Sequence, residues 1–209
     1  MTETSTRRPG RPRSEEAEQA ILDAVLELLP EHGLKGLSIE AVAAQAGVGK
    51  TTIYRRWATK PELVVAALSR LRPPAAPPDT GSLAGDLGGL VAIQQERLAP
   101  TALPRLVPRV LADSIDDPEL HAEMVKQVVG PLRAILRELI GRAIERGEVR
   151  EDVDVEALVD VLHGAPVYKL LMSGGDMSVL IDIPTRIVPL LLQGASSSSA
   201  GRASARRRS

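Results

Sequence analysis

The chain has no cysteine and no phenylalanine, and one tryptophan and two tyrosines are its whole aromatic content in 209 residues. Without cysteine, neither a disulfide framework nor a thiolate metal site can form, which fits a reducing cytoplasm. No run of about 18 uncharged apolar residues occurs, so no membrane-spanning helix is expected. The N-terminal "MTETSTRRPGRPR" has no apolar stretch after its arginines, so it is expected to be neither a secretory signal nor an anchor. No His/Asp/Glu set has metal-ligand spacing and no Ser-His-Asp arrangement is legible, so no metal, no cofactor and no catalysis are expected.

What is present is a globular body with 44% hydrophobic residues and an uneven distribution of charge. The net charge is −1, but residues 1–13 sum to +3 and residues 194–209 to +4, which leaves −8 on the residues between. Inside that acidic body, residues 45–60 carry Lys50, Arg55, Arg56 and Lys60 and no acid. A basic island in an acidic chain points to an anionic partner at that place, whereas a merely solvated face would mix its signs as the rest of the chain does.

Apolar residues recur at helical spacing through the body, and nothing alternates with period two. Ser14 reads as the cap of a first helix that buries Ala17, Ile21, Ala24, Val25 and Leu28, with Pro30 ending or kinking it and Gly33 as a stop. Ser38 caps a short second helix closed by Gly47, and a third runs from about Gly49 to Trp57. Thr59 caps a fourth, with Pro61 in its first turn. Four prolines in "RPPAAPPDTG" forbid a helix there and read as a stiff connector. Beyond it the helices expected are Leu83–Leu98, Leu103–Ser114 interrupted at Pro108, Pro118–Arg146, Val155–Met172 and Met177–Leu192. The tail "GASSSSAGRASARRRS" is low-complexity and reads as disordered.

The stretch "AAQAGVGKTTIYRRWATK" allows two chemistries. A phosphate-cradling P-loop needs a glycine, four intervening residues and then Gly-Lys-Thr, after a strand; Ala44 stands at the first glycine position and the preceding "SIEAVAAQA" is helix-forming. A helix-turn-helix explains more residues: Gly47 in the tight turn, Val48 plugging the angle, Ile53 and Trp57 four apart on the buried side. Lys50, Thr51, Thr52, Tyr54 and Arg55 then project elsewhere, with side chains suited to phosphates and base edges.

Ala20 to Val65, and above all "LSIEAVAAQAGV" followed by "TTIYRRWATK", resembles the N-terminal domain of the TetR (tetracycline-repressor-like) family of transcriptional regulators. "DPEL", "LRELIGRAIERGEVR" and "HGAPVYKLLMSG" are similar to an actinobacterial type of C-terminal ligand-binding domain in that family. The resemblance implies an all-α fold of about nine helices: a three-helix DNA-binding domain and a C-terminal ligand-binding and dimerisation domain. It implies DNA contacts at Ser38, Ile39 and Glu40 where the motif opens, at Lys50, Thr51, Thr52, Tyr54, Arg55 and Arg56 on the recognition helix, and at Lys60 beyond it. Tyr54 and Lys60 are expected on the backbone, and Lys50, Thr51 and Arg55 at base edges; a half-buried Tyr54 ring packed on the first helix is the alternative. The arm "RRPGRPR" adds Arg11 and Arg13 as minor-groove contacts, because an extended Arg-Pro segment fits a narrow groove.

The boundaries expected are a basic arm at 1–13, the DNA-binding domain at 14–60, a connecting helix at 61–72, a proline-rich linker at 73–81, the ligand domain at 82–193 and a tail at 194–209. The last two helices hold more apolar residues than one buried stripe requires, which points to a homodimer interface through Val161, Leu162, Val167, Leu171, Leu180, Ile183, Ile187 and Leu191. An effector cavity would be aliphatic, with Gln94, His121, Met124, Gln127, His163 and Tyr168 as its distinctive residues, and would take a small apolar molecule. The partners expected are thus a double-stranded palindromic operator, that effector and a second copy of the chain, in a cytoplasmic, nucleoid-associated regulator. A ligand-independent architectural DNA binder, and more distantly a P-loop NTPase, are the alternatives.

Overall fold

The computed structural model describes residues 11–70, 76–98 and 103–195, and these are helical with no strand among them. The described residues of Met1–Leu71 and Arg109–Gln127 form one compact unit, and those of Arg72–Pro108 and Val128–Ser209 form a second. Residues 109–127, grouped by sequence with 82–193, therefore fall in the N-terminal unit, where α7 (Pro118–Met124) packs on α4 (Lys60–Ser69).

In the N-terminal unit α1 spans Arg11–Gly36 and begins before Ser14, the expected cap. It runs through Pro30 and breaks at Gly33, whose φ of 67° an L side chain would resist. Proline removes one backbone hydrogen bond there, but the face that buries Ile21, Val25 and Leu29 holds the helix on course. Next, α2 (Ile39–Gln45) is capped by the Ser38 hydroxyl, which accepts from the Ala41 N–H at 3.1 Å. The chain reverses at Gly47 (φ 66°), with the Val48 N–H bonded to the Ala43 carbonyl at 3.0 Å. A five-residue α3 (Lys50–Tyr54) follows, shorter than the span expected to Trp57, although the Trp57 N–H still reaches the Ile53 carbonyl at 3.0 Å. The Thr59 hydroxyl accepts from the Glu62 N–H at 3.2 Å, and the Glu62 carboxylate accepts from the Ala58 N–H at 2.8 Å, so α4 starts on a reciprocal cap. Val42, Ile53, Leu63, Val64 and Leu68 complete this core at no more than 1% exposure. Each such burial contributes about 1.5–3 kcal/mol.

The C-terminal unit is built on α5 (Leu83–Leu98), α8 (Gly130–Glu145), α9 (Val155–Met172) and α10 (Val188–Ala195). Leu83, Leu87 and Leu90 on α5 meet Leu136, Leu139, Ile140 and Ala143 on α8, with Val159, Leu162 and Val188 closing the cluster. Asp86 is wholly buried beneath this start of α5 and accepts from the Thr80 N–H at 2.6 Å, the Thr80 hydroxyl at 2.8 Å and Arg146 at 3.3 Å. Burial pushes its pKa up, but the two Thr80 bonds and the Arg146 charge outweigh it and leave the carboxyl below its ordinary range.

Proline accounts for two departures from the expected helices. The 118–146 stretch is not one helix: α7 gives way to a π turn at Val125–Val129 just before Pro131, whose missing N–H cannot continue the ladder. The 177–192 stretch is likewise split, into a 3-10 turn (Met177–Ile181), a π turn containing Pro184 (Ile183–Ile187) and α10 containing Pro189. Pro108 behaves differently and is accommodated within a continuous α6 (Leu103–Asp113).

Candidate nucleic-acid interface

The face of α3 is set by one anchor. Ile53 is 1% exposed in the core, so the residues on the opposite side must point outward. Lys50, Thr51, Tyr54 and Arg55 are exposed and Thr52 is half-buried. Tyr54 is 52% exposed, so about half of its surface is open to solvent. A lysine, an arginine, a hydroxyl and a phenol exposed on one short helix and its C-cap can meet phosphates and base edges together.

Lys50 is not idle there. Its Nζ donates to the Glu40 carboxylate at 2.8 Å, across the turn between α2 and α3. That hydrogen bond holds Glu40 below its ordinary pKa and raises Lys50 above its own. Both side chains stay more than half exposed, 53% and 67%, so the pair can open toward a phosphate or a base. Sequence reading placed Glu40 beside phosphate; the carboxylate is instead the lysine's partner. A ten-residue separation across a turn carries no periodic signal that could have given this.

Other residues expected at DNA have side chains that are buried or engaged elsewhere in the free chain. Ile39 is 7% exposed and belongs to the core. The Arg56 side chain is 14% exposed and lies with its Nε 3.6 Å from Glu18 of α1, turned away from the outer face of α3. Lys60 does not project: its ammonium donates to the carbonyls of Leu34 at 2.9 Å, Leu37 at 3.1 Å and Lys35 at 3.5 Å, closing the C-terminal end of α1. The hydroxyl of Ser38 is occupied by its cap. At the arm, α1 begins at Arg11, so the backbone of Arg11 and Arg13 is helical where a minor-groove arm needs it extended. The side chains of Arg11 and Arg13, the arm at 1–10 and the tail at 196–209 lie outside the described residues.

Comparison with known proteins decides the family. Residues 21–67 match the model of bacterial regulatory proteins of the tetR family, and residues 77–180 match that of the tetracyclin repressor-like C-terminal domain. An uncharacterised HTH-type transcriptional regulator of Mycobacterium tuberculosis is 34% identical over 159 residues, which cover 74% of this chain and 76% of that one. The chain belongs to the TetR family. Among solved structures, the TetR-family transcription regulator SCO0332 is 31% identical with a TM-score of 0.61, over 86% of this chain and 98% of that one. The regulator FadR of Bacillus subtilis, solved with stearoyl-CoA, shares the fold at 20% identity with a TM-score of 0.70, over 84% of this chain and 98% of that one. This TetR-family chain is accordingly a transcriptional regulator with a helix-turn-helix DNA-binding domain, in which α2 and α3 are the motif. No helix among the described residues is long and apolar enough to cross a membrane.

The six residues expected around an effector divide between the units. His121, Met124 and Gln127 fall in the N-terminal one: Met124 is fully buried, His121 Nδ1 lies 3.0 Å from the Ser114 hydroxyl, and the Gln127 amide donates to Glu123. Gln94, His163 and Tyr168 fall in the C-terminal unit, where Tyr168 is 64% exposed. There, Gln94 Oε1 and His163 Nδ1 are buried with no hydrogen-bond partner among the described residues. Burial, reinforced by the charge of Arg133 and opposed by Asp160, lowers the pKa of His163. A narrow apolar cavity in the same unit is lined by Leu83, Val149, Leu158 and Leu191 among others.

The expected dimer residues also divide. Leu162, Leu180 and Ile183 are 4%, 5% and 2% exposed and belong to the chain's own core. Val167, Ile187 and Leu191 are half-buried, whereas Val161 and Leu171 are exposed, together with Tyr168, Met172, Ile181 and Leu190. Apolar residues spread around a helix reveal burial but not its direction, so sequence alone does not separate these inward positions from the outward ones.

Proposed function

We propose that this TetR-family regulator is a homodimeric repressor that reads a palindromic operator with α3 and is released by a small apolar effector held in the C-terminal unit. The observation that carries the reading is the outward face of α3, where Lys50, Thr51, Tyr54 and Arg55 stand together on a helix locked by Ile53. One helix buries too little surface for a selective complex, so two copies are required, with recognition helices about 34 Å apart to match one DNA turn. The exposed apolar residues of α9, Val161, Tyr168, Leu171 and Met172, supply a face for the second copy. In the C-terminal unit the buried Gln94 and His163 atoms supply polar groups for a ligand to satisfy, and the cavity lined by Leu83, Val149, Leu158 and Leu191 favours an apolar body. The effector acts by preferring one of two states that differ in the separation of the recognition helices, and it shifts the population only by its difference in affinity for them.

A salt-resolved titration against a random duplex library, with wild type and Lys50→Ala, tests this. Selection of one palindrome by the wild type, bound more weakly and less selectively by the variant, is the expected result. Sequence-blind binding that vanishes with salt would sink the operator reading and leave an architectural role.

A further inference from the structure

The N-terminal unit holds a second feature that DNA reading does not use. Between α4 and α7 lies a cleft of about 630 Å³, within the range of small-molecule sites. One wall is Trp57, the chain's single tryptophan, half-buried beside the apolar Val65. Glu62, Asp117, Glu119 and Glu123 supply four carboxylates, and no lysine, arginine or histidine lines the cleft. Lys126 lies 3.9 Å from Glu123, and Glu123 also accepts from the Gln127 amide. Glu62 and Asp117 spend one oxygen each on helix caps, at Ala58 and Leu120.

We propose that this cleft binds a bulky organic cation with a diffuse charge. Three occupants are disfavoured by its chemistry. A nucleic-acid phosphate would meet four negative charges. A compact metal ion needs converging ligands, and among the described residues no three His, Cys, Asp or Glu side chains are placed to hold one. A neutral apolar molecule would leave the carboxylates unanswered along one side. A diffuse cation sheds its water easily, stacks on the indole face and gains from carboxylates that surround it without coordinating it. The inference goes beyond the effector proposed for the C-terminal unit and does not depend on it.

Because Trp57 is the only tryptophan, its emission reports on this cleft alone. The full-length protein is titrated with tetraphenylphosphonium, and with tetraphenylborate as an anion of the same shape. Saturable quenching by the phosphonium and none by the borate is expected. The double variant Glu119→Gln/Glu123→Gln, altered at two surface positions that leave the core intact, should bind about tenfold more weakly. No saturable change, an equal response to the borate, or an unaltered affinity in the double variant would overturn the proposal. Operator binding measured without either probe is a separate readout, so failure here and failure of the repressor reading are distinguishable.

Discussion

Lys60 sits where family resemblance implies a phosphate contact, yet its ammonium is committed to main-chain carbonyls, and the two roles predict different data for Lys60→Met. An ammonium has three N–H groups, and the carbonyls of Leu34, Leu37 and Lys35 take them at 2.9, 3.1 and 3.5 Å. Only the first two are short enough to count fully. Methionine keeps much of the aliphatic stem and removes the donors. Hydrogen bonds from charged groups contribute about 1.5–3 kcal/mol each in favourable settings, and part exposure of this site reduces the expected loss to about 1–2 kcal/mol in total. In a chain of this length that corresponds to a fall in Tm of about 3–6 °C. The second readout is salt. If Lys60 of each protomer neutralised a phosphate, the slope of log affinity against log salt would shrink by about 2 in the variant. With the carbonyl role it should not change, although affinity can drop slightly. Thermal unfolding combined with fluorescence anisotropy at several salt concentrations separates the cases. An unchanged Tm with a slope reduced by two would refute the assignment.

Three further outcomes are expected. Gly47→Ala meets no atom within 4 Å of the new Cβ, so its cost is strain at φ 66° alone, about 1 kcal/mol after the gain from a stiffer unfolded chain, and denaturant unfolding should show it. Glu156 accepts from Arg137 at 2.5 and 3.0 Å and from Arg133 at 3.0 Å, and the Arg137 hydrogen bond above all lowers its pKa from 4.5 to about 2. Its stabilisation is full above pH 4.5 and disappears as pH falls through about 2, so Glu156→Gln should flatten the acid limb of Tm against pH in that window. Leu171→Glu places a charge on a residue 53% exposed in the protomer, so the fold should survive while sedimentation shows a weakened dimer.

Legibility from sequence followed the range of the interaction. Ser38 and Thr59 cap helices three residues away, and both were readable because cap and target are neighbours in the chain. The outward set on α3 was also readable, since one apolar anchor at Ile53 sets the phase of a short helix. Arg56 and Lys60 were not: Glu18 lies 38 residues before the one, and the Leu34 carbonyl 26 residues before the other. Nothing in their own neighbourhood distinguishes a lysine that meets a phosphate from one that closes a helix. The same holds for α9, where the adjacent Val161 and Leu162 are both apolar but Leu162 is buried and Val161 exposed. Burial of Asp86 was equally hidden, because its Arg146 partner is 60 residues away.

The π turn at Val125–Val129 has a consequence for how relatives of this chain should be aligned. Such a turn accommodates one residue more than the α-helix it interrupts, and one residue of slippage rotates everything after it by about 100°. A homologue with one residue fewer between Met124 and Gly130 would keep Leu136 and Leu139 facing the core only if the gap is placed inside that turn. Set anywhere later in α8, the gap would pair buried positions with exposed ones and make a shared core look like divergence.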